Sequence, residues 1–365
     1  MKFGLFFNPT FTSKQSVVKL VQRAEALGYD SILTDDHVFR PDYWKRPGGD
    51  IEWEPFTILS YLAAKTSRIR LLLGCLVVPY RQPLAVAKAV ASLDVLSDGR
   101  FILGAVPGYL PEEFSAFHLP LDERGAMTDE FLGVMKALWS QDDASYTGKW
   151  YSFKNISMHP KPVQRPNPPI WSGGSSMRAV RRAIEYGDAW FPLAFPVVTE
   201  EYKKQYEKII KGFPIPTGAT SPDDIRRGVA YGKELARKLG KPYKMGVVLL
   251  AGFIQVADTP LAKPSQMEGR TAEASREAPP KADIFRGRGT PQHLISEFKR
   301  YKAAGVDYFV VGFGRKREKQ FLARLSALRK RSCQRSRVYS QWLHGSTHSL
   351  LGEHCLLEYA YPNIR

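Results

Sequence analysis

Short apolar runs alternate with segments of helical periodicity along most of this chain, and that alternation limits its possible folds more than any other feature. Residues 2–7 form an apolar run closed by Asn8-Pro9, and residues 16–27 then carry apolar side chains at helical spacing up to Gly28. The unit recurs: a run at 31–34 ending in Asp35-Asp36-His37, a helix opened by Pro55 and reaching residue 65, and a buried run at 70–78. A helix over 84–96, the turn Ser97-Asp98-Gly99-Arg100, a fourth run at 101–105 and a helix over 124–139 follow. Ile170-Trp171-Ser172 begins a fifth run, Gly173-Gly174 leads to a helix over 175–186, and residues 189–191 supply a sixth. Helices over 199–210 and 223–239 precede the seventh run at 244–256. A helix over 290–304 capped by Gly305, an eighth run at 308–313 and a helix over 316–330 complete the series. Strands that are apolar throughout and joined by helices lie parallel with helices over them, so eight units predict an α/β fold, the (β/α)8 TIM barrel.

Three segments break the alternation. Residues 144–156, with alternating aromatics about Gly148-Lys149, predict a small hairpin set into the barrel. Residues 258–289 are rich in Pro, Lys, Arg, Glu and Ala and nearly devoid of large apolar side chains before Ile284, which predicts a mobile insertion after strand seven. Residues 331–365 have no clear period and form an appended C-terminal tail, leaving 1–330 as the barrel domain. A hydrophobic content of 44% is ample for one large core, and barrels reach this length as single units.

A formal net charge of +17 suits a nucleic acid, a membrane surface or an anionic small molecule. The basic residues are dispersed, and the one dense run, Arg315-Lys316-Arg317 with Lys319, reads as a solvated helix face. No zinc-finger spacing or aromatic RNA-binding signature accompanies them, so nucleic acid is the weaker partner and a small molecule the stronger. Cys75, Cys333 and Cys355 are too scattered for a disulfide framework or a metal site, so no metal is expected. No stretch reaches the roughly 18 to 20 apolar residues that cross a bilayer, and the expectation is a cytoplasmic protein.

Barrel enzymes place their chemistry at the carboxyl ends of the strands. The residues there are Asn8 and Pro9, Asp36 and His37, the stretch 75–79, the stretch 107–109, and Gly173-Gly174-Ser175-Ser176. An imidazole titrates near neutral pH, so His37 is the candidate acid or base, against the alternative of a histidine that only braces its loop. The Gly-Gly-Ser-Ser turn between strand and helix could cradle a phosphate on backbone amides, or could merely turn and cap. Glu112, Glu113, Arg68, Arg70, Arg81 and Arg124 read more readily as loop-bracing residues than as ligands.

The segments Lys2-Phe3-Gly4-Leu5-Phe6-Phe7, Leu27-Gly28-Tyr29-Asp30-Ser31, Thr66-Ser67-Arg68-Ile69-Arg70-Leu71 and Leu93-Asp94-Val95-Leu96-Ser97-Asp98-Gly99-Arg100-Phe101 stand in the order seen in a known family. Glu112-Glu113-Phe114, Glu123-Arg124-Gly125, Pro168-Pro169-Ile170-Trp171, Gly173-Gly174-Ser175-Ser176 and Gly187-Asp188-Ala189-Trp190 continue that order. With them the chain resembles the bacterial luciferase-like superfamily, the luciferase-like monooxygenase family, and most closely its branch that uses the deazaflavin coenzyme F-420. The likeness runs over roughly residues 1–330 and departs from the pattern at 212–221, at 258–289 and after Lys330.

The resemblance implies a flavin or deazaflavin ring in the barrel mouth, with Asp36 beside it and its phosphate at Gly173, Gly174, Ser175 and Ser176. It implies a bulge and a non-prolyl cis peptide at Cys75-Leu76 behind the ring, a bond costing about 3 to 4 kcal/mol. It implies His37 as the catalytic acid or base. Tyr109 stands where some sugar-phosphate dehydrogenases of the branch carry glutamate, which argues against that substrate and makes Tyr109 a wall of the substrate pocket. The implied activity is hydride transfer between the deazaflavin and a small organic substrate. The alternatives are a monooxygenase using reduced FMN from a partner flavin reductase, and a barrel that binds flavin without turnover. A homodimer is compatible with any of these.

Overall fold

The computed structural model describes residues 1–7, 13–39, 53–194, 220–256, 285 and 287–313. Branched and aliphatic residues dominate eight parallel strands: β1 Lys2–Phe6, β2 Ser31–Thr34, β3 Arg70–Val77, β4 Phe101–Val106, β7 Ile170–Gly173, β8 Ala189–Phe191, β9 Gly246–Val256 and β11 Tyr308–Phe313. They pair in the cyclic order β1-β2-β3-β4-β7-β8-β9-β11, and β11 pairs back on β1, so the sheet closes into the expected barrel. Alternation sends Leu33, Leu72, Ile102, Trp171, Val248 and Val310 into the barrel interior. The opposite faces, with Leu5, Ile32, Leu71 and Leu103, pack under the helices. Each such fully buried aliphatic side chain contributes about 1.5 to 3 kcal/mol.

The helices are α1 Lys14–Ala26, α2 Pro55–Ala63, α3 Pro83–Leu96, α4 Pro111–Ala116, α5 Arg124–Ser140, α6 Met177–Glu185, α7 Pro222–Lys238 and α8 Pro291–Ala304. Proline opens α2, α3, α4, α7 and α8, where its missing N–H leaves no hydrogen bond unmade. Gly305 ends α8 at φ +116°, the left-handed conformation that glycine adopts without steric cost. The hairpin forms as expected from β5 Ala144–Thr147 and β6 Ser152–Ile156, and Glu130 of α5 accepts the turn amides of Lys149, Trp150 and Tyr151.

Several features depart from the sequence reading. Helix α4 and the 3-10 turn Val78–Tyr80 were not expected; both are too short to carry a period. The stretch 258–289 is not wholly an unpacked insertion, because β10 Arg288–Gly289 pairs in parallel with Gln255 and Val256. Phe285 is buried against Phe298 and Tyr301, which is apolar contact enough to hold this end on the barrel. The rest of that stretch, the helices expected over 199–210 and 316–330, and the tail 331–365 lie outside the described residues.

Strand β3 carries the expected bulge. Leu73 faces Leu103 and Leu76 faces Ala105, so Gly74 and Cys75 together oppose Gly104. The cis bond expected at Cys75-Leu76 is not there: among the described residues the cis peptides are His159-Pro160 and Arg165-Pro166. The crowding is relieved instead by glycine across the strand pair, since a Cβ on Gly104 would stand 2.5 Å from the Gly74 carbonyl oxygen.

Candidate active site at the barrel mouth

Strand β2 delivers Asp35, Asp36 and His37 to the carboxyl rim. Asp36 is buried at 3% exposure and its carboxylate is taken by protein donors. The Val77 amide donates to Oδ2 at 2.9 Å, and the two terminal nitrogens of Arg81 donate at 2.6 and 2.8 Å. Burial raises the Asp36 carboxyl above its ordinary range, while Arg81 and the Val77 amide pull it back. Asp36 therefore ties the end of β2 to the end of β3 and braces the rim, rather than offering its oxygens to a ligand. Arg81 also lies 3.7 Å from Glu54, the N-cap of α2.

His37 keeps 14% of its side chain exposed and turns Nδ1 toward Glu113, 3.7 Å from Oε1, an ion-pair separation longer than a hydrogen bond. Glu113 is 1% exposed. It accepts from the Val38 amide at 2.9 Å and from the Tyr80 hydroxyl at 3.0 Å. Burial opposes its ionisation, but His37, the Val38 amide and the Tyr80 hydroxyl outweigh that and hold its carboxyl below the usual glutamate range. Tyr80 responds oppositely: burial and the adjacent carboxylate push its phenol up. The Tyr109 ring meets the imidazole edge-on at 6.1 Å between centroids, so the two residues share the mouth.

Cys75, partly exposed on the bulge, lies near the Asp35 and Asp36 carboxylates. Burial, aided by those charges, pushes its thiol up to about 12, so it stays protonated at neutral pH. Leu76 is fully buried with its side chain in the layer under the helices, which leaves only its backbone near the mouth.

The Gly-Gly-Ser-Ser turn divides into two parts. Gly173 is buried, and a Cβ there would meet Val106 at 2.4 Å, so its smallness serves packing. The Gly174 amide donates to the Phe191 carbonyl and its φ of +119° needs glycine. Ser175 accepts from the Leu193 amide at 3.3 Å and lies 2.8 Å from the Thr220 hydroxyl. Ser176 is the N-cap of α6 with no side-chain capping bond; its carbonyl accepts the Ala179 amide, while the amides of Met177 and Arg178 stand at the helix start, where no intrahelical acceptor precedes them. With the exposed Arg178 beside them, these amides suit a phosphate, whereas the amide of Gly174 is already used. Phe6, Val106 and Leu193, partly exposed at strand ends, offer an apolar surface of the kind a flavin ring requires, so the rim fits such a group.

Sequence reasoning named His37, Asp36, Tyr109 and the turn, but gave Glu113 and Arg81 only bracing roles. Their sole sequence signal is a place just after a strand and a proline; the partners Asp36 and Arg81 lie 45 residues apart. A cavity of about 380 Å³ lined by Lys2, Asp30, Arg68 and Arg70 opens at the amino end of the barrel, where stability rather than chemistry resides.

A family model described as luciferase-like monooxygenase matches residues 1–214. An FMNH2-dependent dimethylsulfone monooxygenase from Pseudomonas putida is 30% identical over 312 residues, covering 81% of this chain and 82% of that protein. Among solved structures, a monooxygenase from Streptomyces bottropensis aligns with a TM-score of 0.61 at 22% identity, covering 86% of this chain and 92% of its own. A secondary alcohol dehydrogenase dependent on coenzyme F-420 aligns with a TM-score of 0.64 at 19% identity, covering 86% and 93%. At those identities the structural likenesses speak for the fold.

Proposed function

The chain belongs to the luciferase-like monooxygenase family, and from that premise we propose that it is an oxygenase taking reduced FMN from a separate flavin reductase. The observation that carries this reading is the 30% identity, sustained over four-fifths of both chains, to a protein named as FMNH2-dependent. When bound, reduced flavin supplies two electrons to dioxygen, so that one oxygen atom enters the substrate and the other leaves as water. This chain's residues have three tasks. The α6 amides and Arg178 hold the phosphate, the apolar rim of Phe6, Val106 and Leu193 excludes water, and His37 exchanges a proton with the bound substrate or ring.

The direct test is oxygen consumption with reduced FMN from an added reductase, across a panel of small organic substrates that includes sulfones. Substrate-dependent uptake with oxygenated product supports the proposal; uptake that yields only hydrogen peroxide with every substrate overturns it. Hydride transfer with coenzyme F-420 is the second reading, and the imidazole set against a buried carboxylate favours it, because hydride transfer to a carbonyl needs a proton donor. Recovery of the oxidised deazaflavin's visible absorbance when a carbonyl substrate is added to the reduced coenzyme would support that reading instead.

A further inference from the structure

We propose that Glu113 is the positioning residue of His37, fixing the imidazole with Nδ1 protonated and Nε2 as the atom that exchanges a proton at the mouth. The inference rests on the reading of His37 as the proton carrier. Two contacts act together. One carboxylate oxygen of Glu113 faces His37 Nδ1 and also accepts the Val38 amide, so it locates both the ring and the backbone that carries it. The other oxygen accepts the Tyr80 hydroxyl, which keeps the carboxylate from turning away. At the 3.7 Å ion-pair separation the carboxylate's charge favours hydrogen on the nearer ring nitrogen, so the neutral tautomer with hydrogen on Nδ1 is selected and Nε2 is left with its lone pair.

The position is rigid for a reason visible in the fold. Glu113 sits in the first turn of α4, which Pro111 opens, and its neighbour Phe114 is buried against Tyr80. Tyr80 also stacks on Phe117. Buried at 1% exposure beside that cluster, the carboxylate is held through both of its oxygens. Among the described residues, the charged and titratable groups near His37 are Glu113 from α4, Tyr80 and Arg81 from the segment after β3, Tyr109 from the end of β4, and Asp35 and Asp36 from its own loop. Arg81 is paired with Asp36, and among the described residues Glu113 is the carboxylate at ion-pair distance from the imidazole.

Nitrogen NMR on protein labelled in histidine tests this without turnover, the His37 signals being assigned by their loss in His37→Asn. The expected result is the Nδ1–H tautomer in the neutral ring, and a titration midpoint that falls by about one unit or more in Glu113→Gln, because removing an anion disfavours imidazolium. The Nε2–H tautomer in the wild-type protein, or an unchanged midpoint in folded Glu113→Gln, overturns the proposal. If Glu113→Gln does not fold, the wild-type tautomer decides. A correct tautomer and midpoint shift with no effect of His37→Asn on turnover would leave Glu113 as positioner and remove His37 from the chemistry, so the two readings fail separately.

Discussion

At the scale of single residues, the proposed function makes the imidazole of His37 the group on which turnover would depend. His37→Ala should lower kcat by about 100-fold or more while moving flavin affinity little, the range for loss of a general acid or base. His37→Asn keeps a side chain of similar reach that cannot titrate near neutral pH, so near-normal kcat with Asn across pH would reduce His37 to a brace. Glycines give a second comparison. The Cβ of Gly104→Ala would press on backbone, the Gly74 carbonyl and the Leu73 oxygen, while that of Gly173→Ala would press on the Val106 side chain, which can shift. Gly104→Ala should therefore cost about 3 kcal/mol or more in urea unfolding and Gly173→Ala about 1 to 3 kcal/mol. Equal costs would show that the bulge is softer than described. The same contact gives Gly173 a packing role beside its expected place at the phosphate, one the sequence could not show because packing distances across β4 and β7 are invisible in a linear pattern.

At the scale of elements, the rim is held by the ends of strands and the starts of helices. The strands were legible because each is a short apolar run bounded by turn residues, and β11 Tyr308–Phe313 was read to its exact ends. Helix α4 was not legible, because six residues cannot display a helical period and only Pro111 with the following Glu112 and Glu113 hints at a start. That omission hid Glu113, which lies on it. Helix α7 supplies a test of local design: Ser221 and Asp224 form a reciprocal capping box, and Thr220 just before it touches Ser175 and accepts the Tyr301 hydroxyl at its carbonyl. Ser221→Ala should cost about 0.5 to 2 kcal/mol by loss of the cap and weaken hydrogen-exchange protection at the start of α7. Unchanged protection of the Asp224 amide would mean the cap contributes nothing there.

At the scale of the whole molecule, the closed barrel with its ring of strand-end groups suits the proposed role, in which a flavin-type cofactor would supply the chemistry and the protein would orient, dry and protonate. The fold and the family were readable because ordered motifs run along most of the chain. The choice of cofactor was not, since FMN and coenzyme F-420 carry the same kind of ring and a phosphate, and the strand-end residues named from the sequence would suit either. The sequence reading leaned to the deazaflavin on the resemblance of its ordered motifs to that branch, whereas the similarity over four-fifths of the chain leans to FMN. The most direct test is an anaerobic equilibrium titration of the full chain with reduced FMN and, separately, with reduced coenzyme F-420. The account predicts saturable binding of one reduced FMN per chain and much weaker binding of the deazaflavin. Saturable binding of coenzyme F-420 with no measurable binding of reduced FMN would contradict it.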